Sequence, residues 1–204
     1  MDIINHLAMR LNFSIRRHPS RWLYTDHFLG KFMDEKEMPF FVRDWGRAVI
    51  WDVGASIGKY TTILAKHSPN ATICAFEPNL NSLYYLAYRT ASYPNVVIMP
   101  NALTVDGSSM KGTYNPDFTT APTGPQVSTI SIREAIAKQG VPTFIKMDIE
   151  GGEFLIFESA EAGCLRSATI LVSWHSQLAG KPVPEVKGWK NSRLSNDMSL
   201  LSPL

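Results

Sequence analysis

From Arg47 onward, short apolar runs alternate with stretches whose apolar residues recur every three or four positions. The runs 48–51, 71–76, 96–99, 143–147 and 169–172 are apolar throughout or nearly so, without in–out alternation. Strands covered on both faces read this way. Between them, the helical period predicts helices over about 58–67, 80–89, 131–138 and 152–158, with Leu83, Leu86 and Ala87 on one face of the second. Ser131 is placed as the N-cap of the third, with Glu134 as its capping-box partner. Strand–helix–strand repetition implies an α/β fold with a mostly parallel sheet and right-handed crossovers.

Three stretches break the pattern. Residues 106–126 carry Gly107, Gly112, Pro116, Pro122, Gly124 and Pro125, which predicts a loop or short hairpin. Residues 1–17 space Ile3, Ile4, Leu7, Ala8 and Leu11 as an amphipathic helix. Its arginines follow the apolar part, so it is not a secretory signal, and docking on its own domain is the expected role. The tail 176–204 holds Pro182, Pro184 and Gly188 and shows no clear strand pair. The expected organisation is therefore a helical extension over 1–46, an α/β core over 47–175 and an irregular tail over 176–204.

Composition narrows this without redirecting it. Of 204 residues, 45% are apolar and 19% charged, which suits one packed domain rather than a disordered chain. A net charge of +2, with no basic run interleaved with aromatics, argues against nucleic acid as a partner. No run approaches the roughly 18 apolar residues of a membrane span, so stable insertion is not expected and a cytoplasmic location is. Cys74 and Cys164 lack metal spacing and read as buried, reduced thiols.

Ligands of an open parallel sheet bind outside the carboxyl ends of its strands. Asp52, Glu77, Asn101, Asp148 and His175 each stand at or just after such an end. Asp52-x-Gly54-x-x-x-Gly58 combines a tight turn with a helix start whose free N–H groups attract an anion. An acid ahead of the first glycine would repel a pyrophosphate but suits the ammonium of a methionine moiety, which points to S-adenosylmethionine. Gly58-Lys59 is not a phosphate-binding loop, because Tyr60 replaces the hydroxyl residue that would hold magnesium. The tetrapeptide Asn115-Pro116-Asp117-Phe118, a shape used by amino-group methyltransferases, precedes the fourth strand instead of following it. Glu77, in Phe76-Glu77-Pro78, can accept ribose hydroxyls, while Pro78 suits the first turn of the next helix.

These motifs, followed by Lys146-Met147-Asp148-Ile149-Glu150-Gly151-Gly152-Glu153, resemble the FkbM family of class I methyltransferases from about 48 to 175. The resemblance implies a Rossmann-like three-layer sandwich, here with the C-terminal strand hairpin missing or shortened. It implies S-adenosylmethionine as cofactor and O-methylation of a small-molecule or glycan hydroxyl. Asp52, Gly54, Ala55, Ser56 and Gly58 would hold the methionine end, Glu77 and Pro78 the ribose side, and Asn101 with Ala102 the adenine side. Lys146, Asp148 and Glu150 would line the transfer site, and Asp148, Glu150 or His175 could serve as base. Acids beside a lysine read as an ion-pair network; a divalent metal on Asp148, Glu150 and His175 is the alternative. The family carries an acid two residues before the histidine, where this chain has Ser173. With the short tail, that keeps open a cofactor-binding module of weak or no activity. The pattern of residues says nothing of oligomeric state.

Overall fold

The computed structural model describes residues 35–108, 110–111 and 126–204. The predicted helix over 1–17, most of the 106–126 loop and the Asn115–Phe118 tetrapeptide lie outside them. Five parallel strands form the centre: β1 (Val49–Val53), β2 (Thr72–Phe76), β3 (Val96–Met99), β8 (Phe144–Met147) and β9 (Thr169–Ser173). The first strand of the chain lies in the middle, between β2 and β8. The apolar runs became strands because the sheet is covered on both faces, and β8 is buried at all four positions.

Side chains alternate across β1 and so divide the core. Ile50 joins Ile73, Phe144 and Leu171 on the face covered by α1 (Met38–Phe41) and α2 (Lys59–His67). On that face Phe41 packs against Tyr60 and edge-on to Phe144, so the chain ahead of the core is docked on it from Met38. Trp51 and Val53 face the opposite layer, with α4 (Ile132–Gln139), α5 (Gly152–Glu158) and a 3-10 turn (Ala160–Leu165). Together the layers form the expected sandwich.

Local signals set several boundaries. Ser131 caps α4: its hydroxyl oxygen accepts the Glu134 N–H and the Glu134 carboxylate accepts the Ser131 N–H, the two bonds of a capping box. Helix α3 (Leu80–Thr90) starts at Asn79, whose side chain accepts from the Asn81 N–H. Pro78 therefore precedes the cap and does not enter the first turn, as the sequence suggested. Cys74 is fully buried and its thiol is pushed up to about 12 by burial, whereas Cys164 is only half-buried.

The tail corrects the sequence reading. Residues 176–204 are not irregular: after α6 (Ser176–Ala179), β10 (Trp189–Arg193) and β11 (Met198–Pro203) form an antiparallel hairpin. Strand β11 inserts beside β9, pairing Leu200 with Leu171, and completes the seven-strand order β10-β11-β9-β8-β1-β2-β3. The hairpin was hard to read because β10 is an edge strand whose only buried residue is Trp189. Within 106–126, the ends pair as β5 (Met110–Lys111) and β6 (Gln126–Val127). A short parallel pair, β4 (Ala102–Thr104) with β7 (Thr129–Ser131), lies just outside them.

Candidate active site

Strand register brings the polar residues together. Val53 of β1 stands level with Phe76 of β2 and Met147 of β8, and Phe76 is level with Met99 of β3. The residues after these positions therefore share one rim. Asp52 is one residue further in than expected and sits opposite Lys146. Both side chains point to the α2 face and both are buried. Thr61 of α2 donates its hydroxyl to Asp52 Oδ2 at 2.6 Å. Lys146 Nζ lies 3.5 Å from Asp52 Oδ1 and 3.4 Å from Asp148 Oδ2.

The ammonium of Lys146 donates to the Gly54 carbonyl at 2.9 Å and stands 5.0 Å above the Tyr60 ring. Burial alone would lower its pKa, yet Asp52 and Asp148 raise it on balance. The same surroundings, burial first and then Glu37 and the two aspartates, hold the Tyr60 hydroxyl well above its ordinary range. Asp52 Oδ1 has no hydrogen-bond partner among the described residues. It faces the Lys146 ammonium as an ion-pair partner instead.

The turn after β1 is close to the next strand. Gly54 has φ +79°, and a Cβ there would collide with the Asp148 carbonyl. Gly58, also left-handed at φ +82°, gives way to Leu86 of α3. No side chain caps the helix that follows it. Between them Ala55 is buried, its N–H donating to the Phe76 carbonyl, and Ser56 is left-handed at φ 49°.

Glu77 is the fixed carboxylate of the next strand end, 6% exposed. One oxygen accepts the Ser56 N–H at 2.7 Å and the other the Asn79 N–H at 2.8 Å. Burial raises its pKa, and these two bonds and Lys146 oppose the rise. Each oxygen keeps a second lone-pair direction for a hydroxyl. Asn101 follows β3, but its amide nitrogen is committed to Ser128 Oγ and the Thr129 carbonyl, and Ala102 opens β4.

A second cluster forms where β8 and β9 end. His175 Nε2 stands 3.4 Å from Asp148 Oδ1 and 3.6 Å from Glu150 Oε2. Its Nδ1 lies 2.9 Å from Glu153 Oε1. The hydrogen bond to Glu153 leads the causes that raise the histidine's pKa, with Asp148 and Glu150 adding to it against partial burial. The cluster is half-open to solvent except for Glu153, which is fully buried. Ligand atoms of Asp148, Glu150 and His175 lie within 4.8 Å of one another, a set of oxygen and imidazole donors that a divalent cation would accept.

Four residues read from sequence thus gather here: Lys146, Asp148, Glu150 and His175. Thr61, Tyr60 and Glu153 were not singled out for a role. Glu153 carried a signal, since it is the last acid of the quoted block, but only the fold shows that it reaches His175. Ser173 ends β9 opposite Met198, and the acid held against the histidine comes from α5.

Sheet order, with one reversed strand next to the edge, and a polar rim at the carboxyl ends define a class I methyltransferase fold. A family model for the methyltransferase FkbM domain matches residues 52–189, and the protein belongs to that family. No curated protein matches the chain significantly. Solved structures resemble it at low identity. Fibrillarin of Methanococcus jannaschii, a pre-rRNA processing protein, is 12% identical over 76% of this chain and 66% of its own, with a TM-score of 0.50. Precorrin-6Y C5,15-methyltransferase of Geobacter metallireducens is 10% identical over 89% of both chains, at 0.49. An rRNA methylase of Streptococcus thermophilus is 11% identical over 85% of this chain and 98% of its own, also at 0.49. At these identities the likeness is one of fold. Among the described residues no helix is long and apolar enough to cross a membrane.

Proposed function

We propose that the protein uses S-adenosylmethionine to methylate a hydroxyl group of a small molecule or sugar. The observation that carries this reading is the His175 imidazole, held at the rim with Nε2 turned toward Asp148 and Glu150. A hydroxyl acceptor must lose a proton, and a fixed imidazole is suited to take it. The donor fits the neighbouring half of the rim. Its amino-acid carboxylate suits the uncapped start of α2, and its ammonium suits the negative charge of the strand end. Asp52 is fully buried and paired with Lys146, so it would act on that ammonium through its charge and not by contact. Glu77 would receive the ribose hydroxyls, with Pro78 beside it and Asn101 and Ala102 toward the adenine.

When bound, S-adenosylmethionine supplies a methyl group on a cationic sulfur, so no oxyanion hole is required. The chain's own tasks are alignment and proton removal. His175 takes the hydroxyl proton on Nε2, and the oxygen's electron pair forms the new bond to the methyl carbon as the methyl–sulfur bond breaks and leaves its pair on a neutral thioether. Asp148 and Glu150 offset the resulting imidazolium. Lys146, fixed by Asp52 and Asp148, keeps the β1 turn and the β8 end in register. The ion-pair network does this without a metal, and a cytoplasmic location suits a small-molecule acceptor.

Radiolabelled methyl transfer to a panel of sugars and hydroxylated small molecules, beside amines and RNA, tests the reading. Label in an alkali-stable ether on a hydroxylated acceptor is expected. Label confined to amines or RNA, or tight donor binding with no transfer to any acceptor, would overturn it. The weak-module alternative loses one of its two grounds, the missing hairpin, since β10 and β11 are present, and keeps the other, Ser173.

A further inference from the structure

Glu153 is the most deeply buried carboxylate of the acceptor-side cluster, and nothing in the reaction as derived uses it. A buried carboxylate persists only where its oxygens are filled. Oε1 accepts the Ile149 N–H at 2.6 Å, and Oε2 accepts the Gly151 N–H at 2.8 Å. These two donors flank Glu150, whose φ of 55° is left-handed. The carboxylate is thus clamped to the loop that presents Asp148 and Glu150. Its remaining short contact is His175 Nδ1 at 2.9 Å, from the loop after the neighbouring strand.

We infer that Glu153 is a positioning residue for His175, fixing the ring's orientation and its tautomer. A carboxylate accepts and does not donate, and only Glu153, at 2.9 Å, is within short hydrogen-bond distance, against 3.4 and 3.6 Å at Nε2, so the proton of the neutral ring stays on Nδ1. The lone pair then lies on Nε2, the nitrogen that faces Asp148, Glu150 and the open rim. With the proton on Nε2 instead, the ring would meet the acceptor with a donor and could not take its proton. Glu153 also faces the imidazolium that forms when Nε2 receives the hydroxyl proton, and so stabilises it. Glu153 touches neither donor nor acceptor in this account; it acts through the histidine. The inference rests on the hydroxyl-methylation reading only for the use made of Nε2.

Nitrogen-15 spectra of the imidazoles in the full chain, with the ring neutral, test this without any substitution. The expected result is an Nδ1–H tautomer for His175, assigned by its loss in H175A. An Nε2–H tautomer would overturn the inference. In Glu153→Gln, whose amide can donate as well as accept, the expected result is a mixed tautomer and a kcat lowered about a hundredfold. Donor affinity should stay within about twofold, because the hydrogen bonds of Glu153 go to Ile149, Gly151 and His175 and to neither Asp52 nor Glu77. Combining E153Q with H175A should lower kcat no further than H175A alone. A further loss in the double variant, or a kcat in E153Q close to the native value, would overturn the positioning role. Transfer abolished by chelation and restored by magnesium would overturn the use of Nε2 as the base, since that nitrogen would then hold a cation. A native Nδ1–H tautomer in a chain that transfers nothing would instead break the reaction assignment and leave the geometry standing.

Discussion

The two halves of the rim are built from the same kinds of residues and solve opposite problems. At the ends of β1 and β2, Asp52 and Glu77 are buried, and their oxygens are held by Thr61 and by backbone N–H groups. At the ends of β8 and β9, Asp148, Glu150 and His175 stand partly in solvent and hold one another at 3.4–3.6 Å. A site for an invariant ligand profits from fixed, desolvated groups, whose geometry is set before the ligand arrives. A site that must move a proton needs a group whose charge can change, and partial exposure keeps that change cheap. Lys146 joins the halves, with one aspartate from each.

Gly54→Ala attacks both halves at once and should have the largest effect. Its Cβ would enter the space of the Asp148 carbonyl at a left-handed φ, so β1 and β8 cannot keep their register. Unfolding free energy should fall by about 3 kcal/mol or more, read by denaturant melts, with donor binding lost. A native-like melt would show that the two turns are not in contact. His175→Ala separates the halves: transfer should drop about a thousandfold while donor affinity stays within about twofold. Equal loss of binding would merge them into one site.

Glu77→Ala is the converse. Calorimetry should show donor affinity reduced about thirtyfold, with most of kcat retained at saturating donor. The pH response then sharpens the contrast. The folded-state pKa of His175 is raised above its ordinary value of 6.5. Its ion pairs therefore contribute stability that is full below that value and lost as pH rises through the raised one. Melts should weaken across that window, and H175A should flatten the slope; a slope unchanged in H175A would remove the charged cluster from the account. Ser131→Ala, remote from both halves, should cost about 1 kcal/mol by loss of the α4 cap and leave binding and transfer alone.

Legibility followed the range of the interaction. The capping box needs two residues three apart, and the helix over 152–158 needs one short window, so both were read to the residue. The central strands were read to within a residue or two because burial on both faces leaves an apolar run. Strand β10 escaped because an edge strand exposes most of its residues, and Trp189 alone gives no pattern. The pairing of β4 with β7 joins residues more than twenty apart over three positions each, which no local window contains.

The same limit applied at the site. Asp52, Lys146, Asp148, Glu150 and His175 could each be named from strand ends and motif. That Asp52 faces Lys146 inside the sheet, and is sealed there, depends on the register of β1 against β8. That Glu153 reaches His175 depends on α5 following β8 after only the short loop 148–151, with His175 just after the end of the neighbouring β9. Family resemblance supplied the residues; only the fold supplied who touches whom.

The central claim is that the buried half of the rim is a donor site already formed in the free protein. Titration calorimetry of S-adenosylmethionine into the full chain addresses it directly. One site of micromolar affinity, kept in H175A and weakened in E77A, is the predicted result. No heat with the donor or its demethylated product, or equal binding by E77A and the native chain, would contradict it.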